Sequence, residues 1–511
     1  MPDFPTSLRS RFTSPRPLPL PRRPTRAVAA TLALALTLAL AGCATPMLSS
    51  GVEMPESFAA AAPADAAAEI AWWQGYGDPV LAGLIERAAR ENRDVRIAAE
   101  RVRAARAGAT ISRSWLLPSL GLNAGTTQSD GDYSGGKQLA FPEVDRSHAG
   151  LDVSWEIDLS GRLRAGAAAA DAQALATADQ ARGVRLLAIT DVATSYFMLI
   201  GAERQLDTVR AISAAQDETL RQVRARQRVG LASSFDVERA QTDAERARSA
   251  ITSLQTLVAV SRHRIAVLIG EQPTAAAAIE PWDGRIAVPE VVSGQPAELL
   301  ERRPDLLAAR AQLDAANYRR QQAAAEWFPR LFVGALFGRE NVDVNGIGLG
   351  SARFGNAAGL LTMPLFDWGR TRASNEIAEA EQSAALLGYE DAIVRALEDV
   401  ENALVALKGE RQRAGVLAAA AASADAALGH AQSLYDRGQI DLLPLLDAQR
   451  ARLAARLSAN DSDTELLQGS VRLFKALGGG WQAFEADSAA AADLKQAPVS
   501  PSSASVTKDP S

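Results

Sequence analysis

The chain has 511 residues, 47% of them apolar and 22% charged, which is too apolar for disorder over most of its length. One Cys excludes a disulfide scaffold, and a single long charge-free apolar run, near the N-terminus, argues against a bundle of membrane-spanning helices. A net charge of −6 makes nucleic acid a poor partner, and an Ala-rich chain with only 5% aromatics predicts long, closely packed helices without a conventional core.

Residues 1–26 carry Arg9, Arg11, Arg16, Arg22, Arg23 and Arg26 against one acid, Asp3, and Ala27 to Ala41 is an unbroken run of Ala, Leu, Val and Thr. A basic segment followed by an apolar one of this length reads as a signal peptide, residues 1–42. It ends Leu40-Ala41-Gly42-Cys43, which resembles a lipobox, so Cys43 is expected to carry a diacylglyceryl and an N-acyl chain. Removing 1–42 takes away six arginines and one aspartate and moves the net charge from −6 to −11. Residues 43–75, rich in Ala, Ser, Pro and Asp, read as an irregular lipid-anchored linker, and 483–511 as a disordered tail.

Between them the chain is written twice. Gly161-Arg162-Leu163-Arg164-Ala165 matches Gly369-Arg370-Thr371-Arg372-Ala373, and the same spacing aligns Gly230 with Gly438, Gln241 with Gln449 and Gly270 with Gly478. Upstream, Asp94 aligns with Asp305, Pro118 with Pro329 and Leu120 with Leu331. The two copies span 76–270 and 297–482, joined by a Pro-punctuated connector, 271–296. Each copy opens with a helix, at about 80–114 and 297–326.

Two strands follow in each copy, at 118–128 and 149–159, then at 331–339 and 357–366. Leu151, Val153, Trp155 and Ile157 alternate with Asp152, Ser154 and Glu156, which suits a sheet with lipid on one face and water on the other. Four such strands cannot close a membrane barrel, so the chain must oligomerise if they span a bilayer. The Gly-, Ser- and Asp-rich segments 129–147 and 340–355 read as external loops.

Long helices come next, at 162–229 and 370–437, each Pro-free and each expected to reach roughly 100 Å. Ile393, Leu397, Val400, Leu404 and Leu407 fall at heptad spacing, as do Leu186, Ile189, Ala193, Tyr196 and Ile200. Gly230 and Gly438 end them, and Ser234 and Asp441 are the expected N-caps of shorter return helices at 234–270 and 442–478.

The lipobox, the duplicated strand–strand–helix–helix unit and several segments together resemble the outer-membrane efflux lipoproteins of the TolC/OprM type, NodT-like branch. The telling segments are Leu299-Leu300-Glu301-Arg302-Arg303-Pro304-Asp305-Leu306, Met363-Pro364-Leu365-Phe366-Asp367-Trp368-Gly369-Arg370 and Leu445-Leu446-Asp447-Ala448-Gln449-Arg450. The resemblance implies a mixed α and β fold that, as a homotrimer, forms a twelve-stranded transmembrane barrel continuous with a long periplasmic helical barrel. It implies a passive exit duct for drugs or other small molecules, docked by a periplasmic adaptor and driven by an inner-membrane transporter of the RND type. It also implies a gate at the helix tips: Leu443 in an apolar ring, Asp447 in an acidic one, Arg450 and Tyr435 as latch partners. Asp436 departs from the basic residue usual beside that Tyr. Protein secretion, metal-ion export and a non-conducting structural lipoprotein are the alternatives.

No enzyme is expected. The three His, His148, His263 and His430, lie on separate elements without second ligands at metal spacing, and no Gly-Lys-Ser/Thr phosphate loop is present. Apart from the lipid on Cys43, no cofactor and no metal are expected.

Overall fold

The computed structural model describes residues 46–59, 70–129, 143–282, 284, 286–291 and 294–485; the signal segment, Cys43 and the tail beyond Glu485 lie outside them. From Met47 onward the described residues belong to one unit. Its first repeat contains α1 (Pro79–Glu91), α2 (Arg93–Ser114), β1 (Ser119–Ser129), β2 (Val144–Ile157), α3 (Arg162–Arg228) and α4 (Ser234–Leu268). The second contains α5 (Leu299–Arg302), α6 (Pro304–Ala324), β3 (Arg330–Val344), β4 (Ile347–Thr362), α7 (Arg370–Asp436) and α8 (Leu442–Ala476). The long helices α3 and α7 are both 67 residues and the return helices α4 and α8 both 35, so the duplication holds in three dimensions.

Each opening helix, read from sequence as continuous, is broken. Asn92 sits between α1 and α2, where its Oδ1 accepts the Asp94 and Val95 amides and its Nδ2 donates to the Leu268 carbonyl at 2.8 Å. At the matching break of the second repeat, Pro304 cannot continue α5, and the Arg303 guanidinium donates to the Ala476 carbonyl at 3.1 Å and to Asp399 at 2.9 Å. Leu268 and Ala476 end the two return helices, so each break is a joint that fastens the upper helix to the lower one.

The strands form one antiparallel sheet in the order β1-β2-β3-β4. β2, β3 and β4 are longer than the alternation alone suggested. The segment 340–355 is not a loop: β3 and β4 pair as far as Val344 and Ile347 around a two-residue turn, Asn345-Gly346, both with positive φ. Of the first expected loop, 144–147 belongs to β2 and 130–142 lies outside the described residues. At the other end β4 stops at Thr362, two residues before Pro364, so 363–366 is not strand. The acid-bearing face is confirmed as polar: Asn123 donates to Asp152 at 3.1 Å across β1 and β2.

Along the shaft α3 is the common neighbour. It packs on α2 and α4 of its own repeat and on α6 and α8 of the other, while α7 packs on α6 and α8. Midway down, the expectation of no conventional core fails. Trp72 and Trp73, from the segment read as an irregular linker, and Tyr76, from the start of the first repeat, are buried beside Tyr196, Phe197, Phe474, Trp481 and Phe484. Trp72 stacks on Phe474 at 5.1 Å between ring centres and Trp73 on Phe484 at 5.5 Å. Phe484 lies in the stretch read as tail, and its burial extends the ordered fold to that point.

Polar groups join this belt to the helices. Asp78 Oδ1 caps α1 by accepting the Val80 and Leu81 amides, and its Oδ2 accepts the Tyr196 hydroxyl at 2.7 Å. Burial pushes the Tyr196 hydroxyl far above its ordinary pKa, so it remains a donor. Residues 47–59 run against the second repeat: the Asn317 amide bonds both the N–H and the C=O of Leu48, and Phe58 is buried beside Leu306 and Ile393.

Trp72 is fully buried, so Trp72→Ala removes a ring with no means of refilling its space. The variant should lose about 3–5 kcal/mol, read as a lowered midpoint in thermal unfolding followed by circular dichroism; an unchanged midpoint would contradict the belt's structural role.

Candidate functional site: the tips of the helix hairpins

Both hairpins turn the same way. Gly230 and Gly438 take the left-handed conformation (φ 74° and 71°), and the residue after each donates back, Leu231 to the Arg226 carbonyl and Gln439 to the Leu434 carbonyl. The N-cap of α4 is Ser233, one residue before the expected Ser234; it forms a capping box with Asp236, whose carboxyl is held below its ordinary range by the Ser233 hydroxyl and amide. Asp441 occupies the cap position of α8 without a side-chain bond.

The tips carry exposed apolar side chains. Leu443 is 45% exposed and its repeat counterpart Phe235, likewise second in its return helix, is 68% exposed. Val229 and Leu231 are exposed in the first turn. Beneath them Leu220, Val223, Val237, Ala240 and Ala244 make a small core on which Leu442 of the second hairpin packs.

The two hairpins are tied by one strong pair. Arg450 of α8 donates from Nη2 to Asp243 of α4 at 2.7 Å and from Nε at 3.1 Å, and Asp243 is only 5% exposed. Asp243 raises the Arg450 pKa further, chiefly through these hydrogen bonds, so the guanidinium stays charged. Next to it Gln449 Nε2 donates to the Thr219 hydroxyl at 3.0 Å, in a second buried link between hairpins.

The structure separates the expected latch partners. Tyr435 is buried beneath the Arg226 guanidinium, 4.3 Å from its ring centre, while Arg450 holds Asp243. Each residue thus grips the first-repeat hairpin on its own. Nor does Asp447 stand as a bare acid: it remains exposed, but Arg450 lies at 3.4 Å and Arg239 at 3.7 Å. Asp436 accepts from Gln432 on its own helix. Within the second hairpin, Asp425 takes Arg456 and Arg452, which hold its carboxyl below the usual range.

Asp243, Arg226 and Arg239 were not singled out from sequence. Asp243 lies 207 residues from Arg450, and nothing local marks it. A signal for Arg239 did exist: the spacing that aligns Gln241 with Gln449 also aligns Arg239 with Asp447, opposite charges at matched positions.

Comparison with known proteins adds identity to this geometry. The model of the outer membrane efflux protein family matches residues 84–271 and 296–479, one match for each repeat. The chain belongs to the outer membrane efflux protein family. Outer membrane protein OprJ of Pseudomonas aeruginosa is 32% identical over 433 residues, covering 83% of this chain and 89% of that protein. The pyoverdine export outer membrane protein OpmQ of the same species is 33% identical, covering 85% and 93%. Among solved structures, the outer-membrane channel OprN (29% identical, TM-score 0.78) covers 86% of this chain and 99% of its own. The open state of MtrE from Neisseria gonorrhoeae (28%, TM-score 0.77) covers 86% and 99%. As a member of this family the protein is an outer-membrane efflux channel, and its fold is the family's duplicated mixed α and β unit.

Arg450→Ala leaves the Asp243 carboxylate buried without its partner. The efflux protein carrying it should show single-channel conductance in planar bilayers at least severalfold above the parent, because the tip hairpins lose their main tie. An unchanged conductance would show that the pair does not restrain the tips.

Proposed function

We propose that three copies form a closed passive duct through which an inner-membrane transporter of the RND type, linked by a periplasmic adaptor, exports drugs or other small molecules. The observation that carries this reading is the four-stranded sheet with β1 and β4 at its edges, set on helices about 100 Å long. In hydrocarbon each unpaired backbone group costs several kcal/mol, so the sheet requires partners, and three sheets give twelve strands, wide enough for a conduit.

Leu443 and Asp447 serve as the narrowest rings of the duct, held by Arg450 through Asp243 and by Tyr435 through Arg226. Three-fold repetition brings three Leu443 and three Asp447 side chains toward one axis. The arginines beside Asp447 temper its charge, so the ring selects less strongly for cations than three bare carboxylates do. Small-molecule cargo is supported by relatives named for toluene efflux, solvent efflux and pyoverdine export. The lipid attachment of Cys43 is supported by the lipobox and by a relative named as a probable outer membrane lipoprotein, SilC of Salmonella typhimurium (26% identical).

Purified protein carrying Leu443→Ala with Asp447→Ala should give larger and more frequent conductance steps in planar bilayers than the parent. No steps from either protein would sink the duct. Cys43→Ser should abolish incorporation of labelled palmitate while leaving the assembly intact; undiminished labelling would remove Cys43 as the lipid site.

A further inference from the structure

The helices of the shaft carry an added layer on one side. On α3, the Arg182 guanidinium lies 4.8 Å from the centre of the Trp481 ring and Arg185 donates to the Phe484 carbonyl, so both face the aromatic belt. On α7, Glu401 accepts the Ala59 amide at the end of the N-terminal segment. On α8, Phe474 stacks on Trp72. Met47 is only four residues from Cys43, and lipid chains held there lie in the bilayer around a barrel, so the layered side is the outside of the duct.

The opposite side holds a pocket. At about 100° of turn per residue, Gln180, Val184 and Leu187 lie across α3 from Arg182 and Arg185, and Asp399 and Ala403 lie across α7 from Glu401. Together with the start of α6 and with Arg472 and Lys475 of α8 they enclose a cavity of about 760 Å³, the size of a small-molecule site.

The charges around this cavity are matched with one exception. Asp179 holds Arg182 at 2.5 Å, Arg303 holds Asp305 at 2.8 Å and Asp399 at 2.9 Å, and Arg472 reaches Glu465 at 3.4 Å. Lys475 has no partner among the described residues. The Ala476 carbonyl beside it is taken by Arg303. Nor does the packing of a return helix demand a cation there: the spacing that aligns Gly270 with Gly478 sets Val267 at the matching place on α4. Between the charges the wall is apolar, and Leu187 is 45% exposed on it.

We propose that this pocket binds a small amphiphilic anion, an aromatic or short aliphatic body carrying a carboxylate or sulfonate, on its way along the duct. The proposal rests on the duct reading, which sets the pocket on the wall of the bore, and adds a binding site to that wall. The body lies against Val184, Leu187 and Ala403, where it removes exposed apolar surface from water. The head pairs with the Lys475 ammonium, a charge-assisted contact that no side chain of the subunit supplies. A cationic ligand finds no equivalent, because Asp305 and Asp399 are both engaged by Arg303 and Asp179 by Arg182.

Naphthalene-2-sulfonate is a probe of this class. Titrated calorimetrically into the protein in nanodiscs of neutral lipid, with protein-free nanodiscs as the blank, it should bind once per chain. Lys475→Ala should weaken that binding about tenfold, Lys475→Arg should retain it and Leu187→Glu should abolish it, all with the helical circular dichroism of the parent. No binding above the blank, an affinity that neither Lys475→Ala nor Leu187→Glu changes, or equal binding of the cationic analogue naphthylmethylammonium would overturn the site. In planar bilayers the probe should lower the conductance of protein carrying Leu443→Ala with Asp447→Ala, and do so less once Lys475→Ala is added. Calorimetric binding without any effect on conductance overturns the pocket's place on the bore. A protein that binds the probe and never conducts overturns the duct reading instead, and the Lys475 site stands without it.

Discussion

Backbone polarity in a hydrocarbon environment is the constraint on which the rest of the structure depends. A sheet of four strands has two edges, here β1 and β4, and every unsatisfied N–H and C=O on them is costly where no water can reach. One chain therefore cannot be a finished membrane object. The duplication places the same strand–strand–helix–helix unit on both sides of the sheet. The matched lengths of α3 with α7 and of α4 with α8 extend this logic down the shaft.

Long helices alone do not hold a given height relative to one another. The breaks at Asn92 and Arg303 and the aromatic belt around Trp72 supply that alignment. Both breaks place a polar side chain on the last carbonyls of the return helices, at Leu268 and Ala476. The belt then packs segments from the beginning, middle and end of the chain against α3. Below it the hairpins are joined by fewer ties, chief among them Arg450 with Asp243 and Gln449 with Thr219.

Much of this was legible in the sequence. Pro-free spans punctuated by Gly230 and Gly438 gave the long helices, and the repeat gave the architecture. What stayed hidden has physical reasons. The strands outran the apolar alternation because Gly- and Asn-rich stretches of β3 and β4 pair through their backbones, which leaves no side-chain pattern. Trp72, Trp73 and Phe484 were masked by Ala-rich neighbours that read as low complexity, although Trp is seldom placed without a packing reason. Among the tip residues, Tyr435 and Arg450 were found through resemblance, but their partners Arg226 and Asp243 lie on the other repeat and are joined to them only by folding.

The single chain is thus an incomplete unit whose sheet edges are closed by identical copies. Native mass spectrometry of the protein released from a minimal detergent shell measures this directly. The expected mass is that of three chains, with dissociation to single chains only under activation that also unfolds them. A folded single chain that persists as the dominant species, or a stable assembly of two, would contradict it.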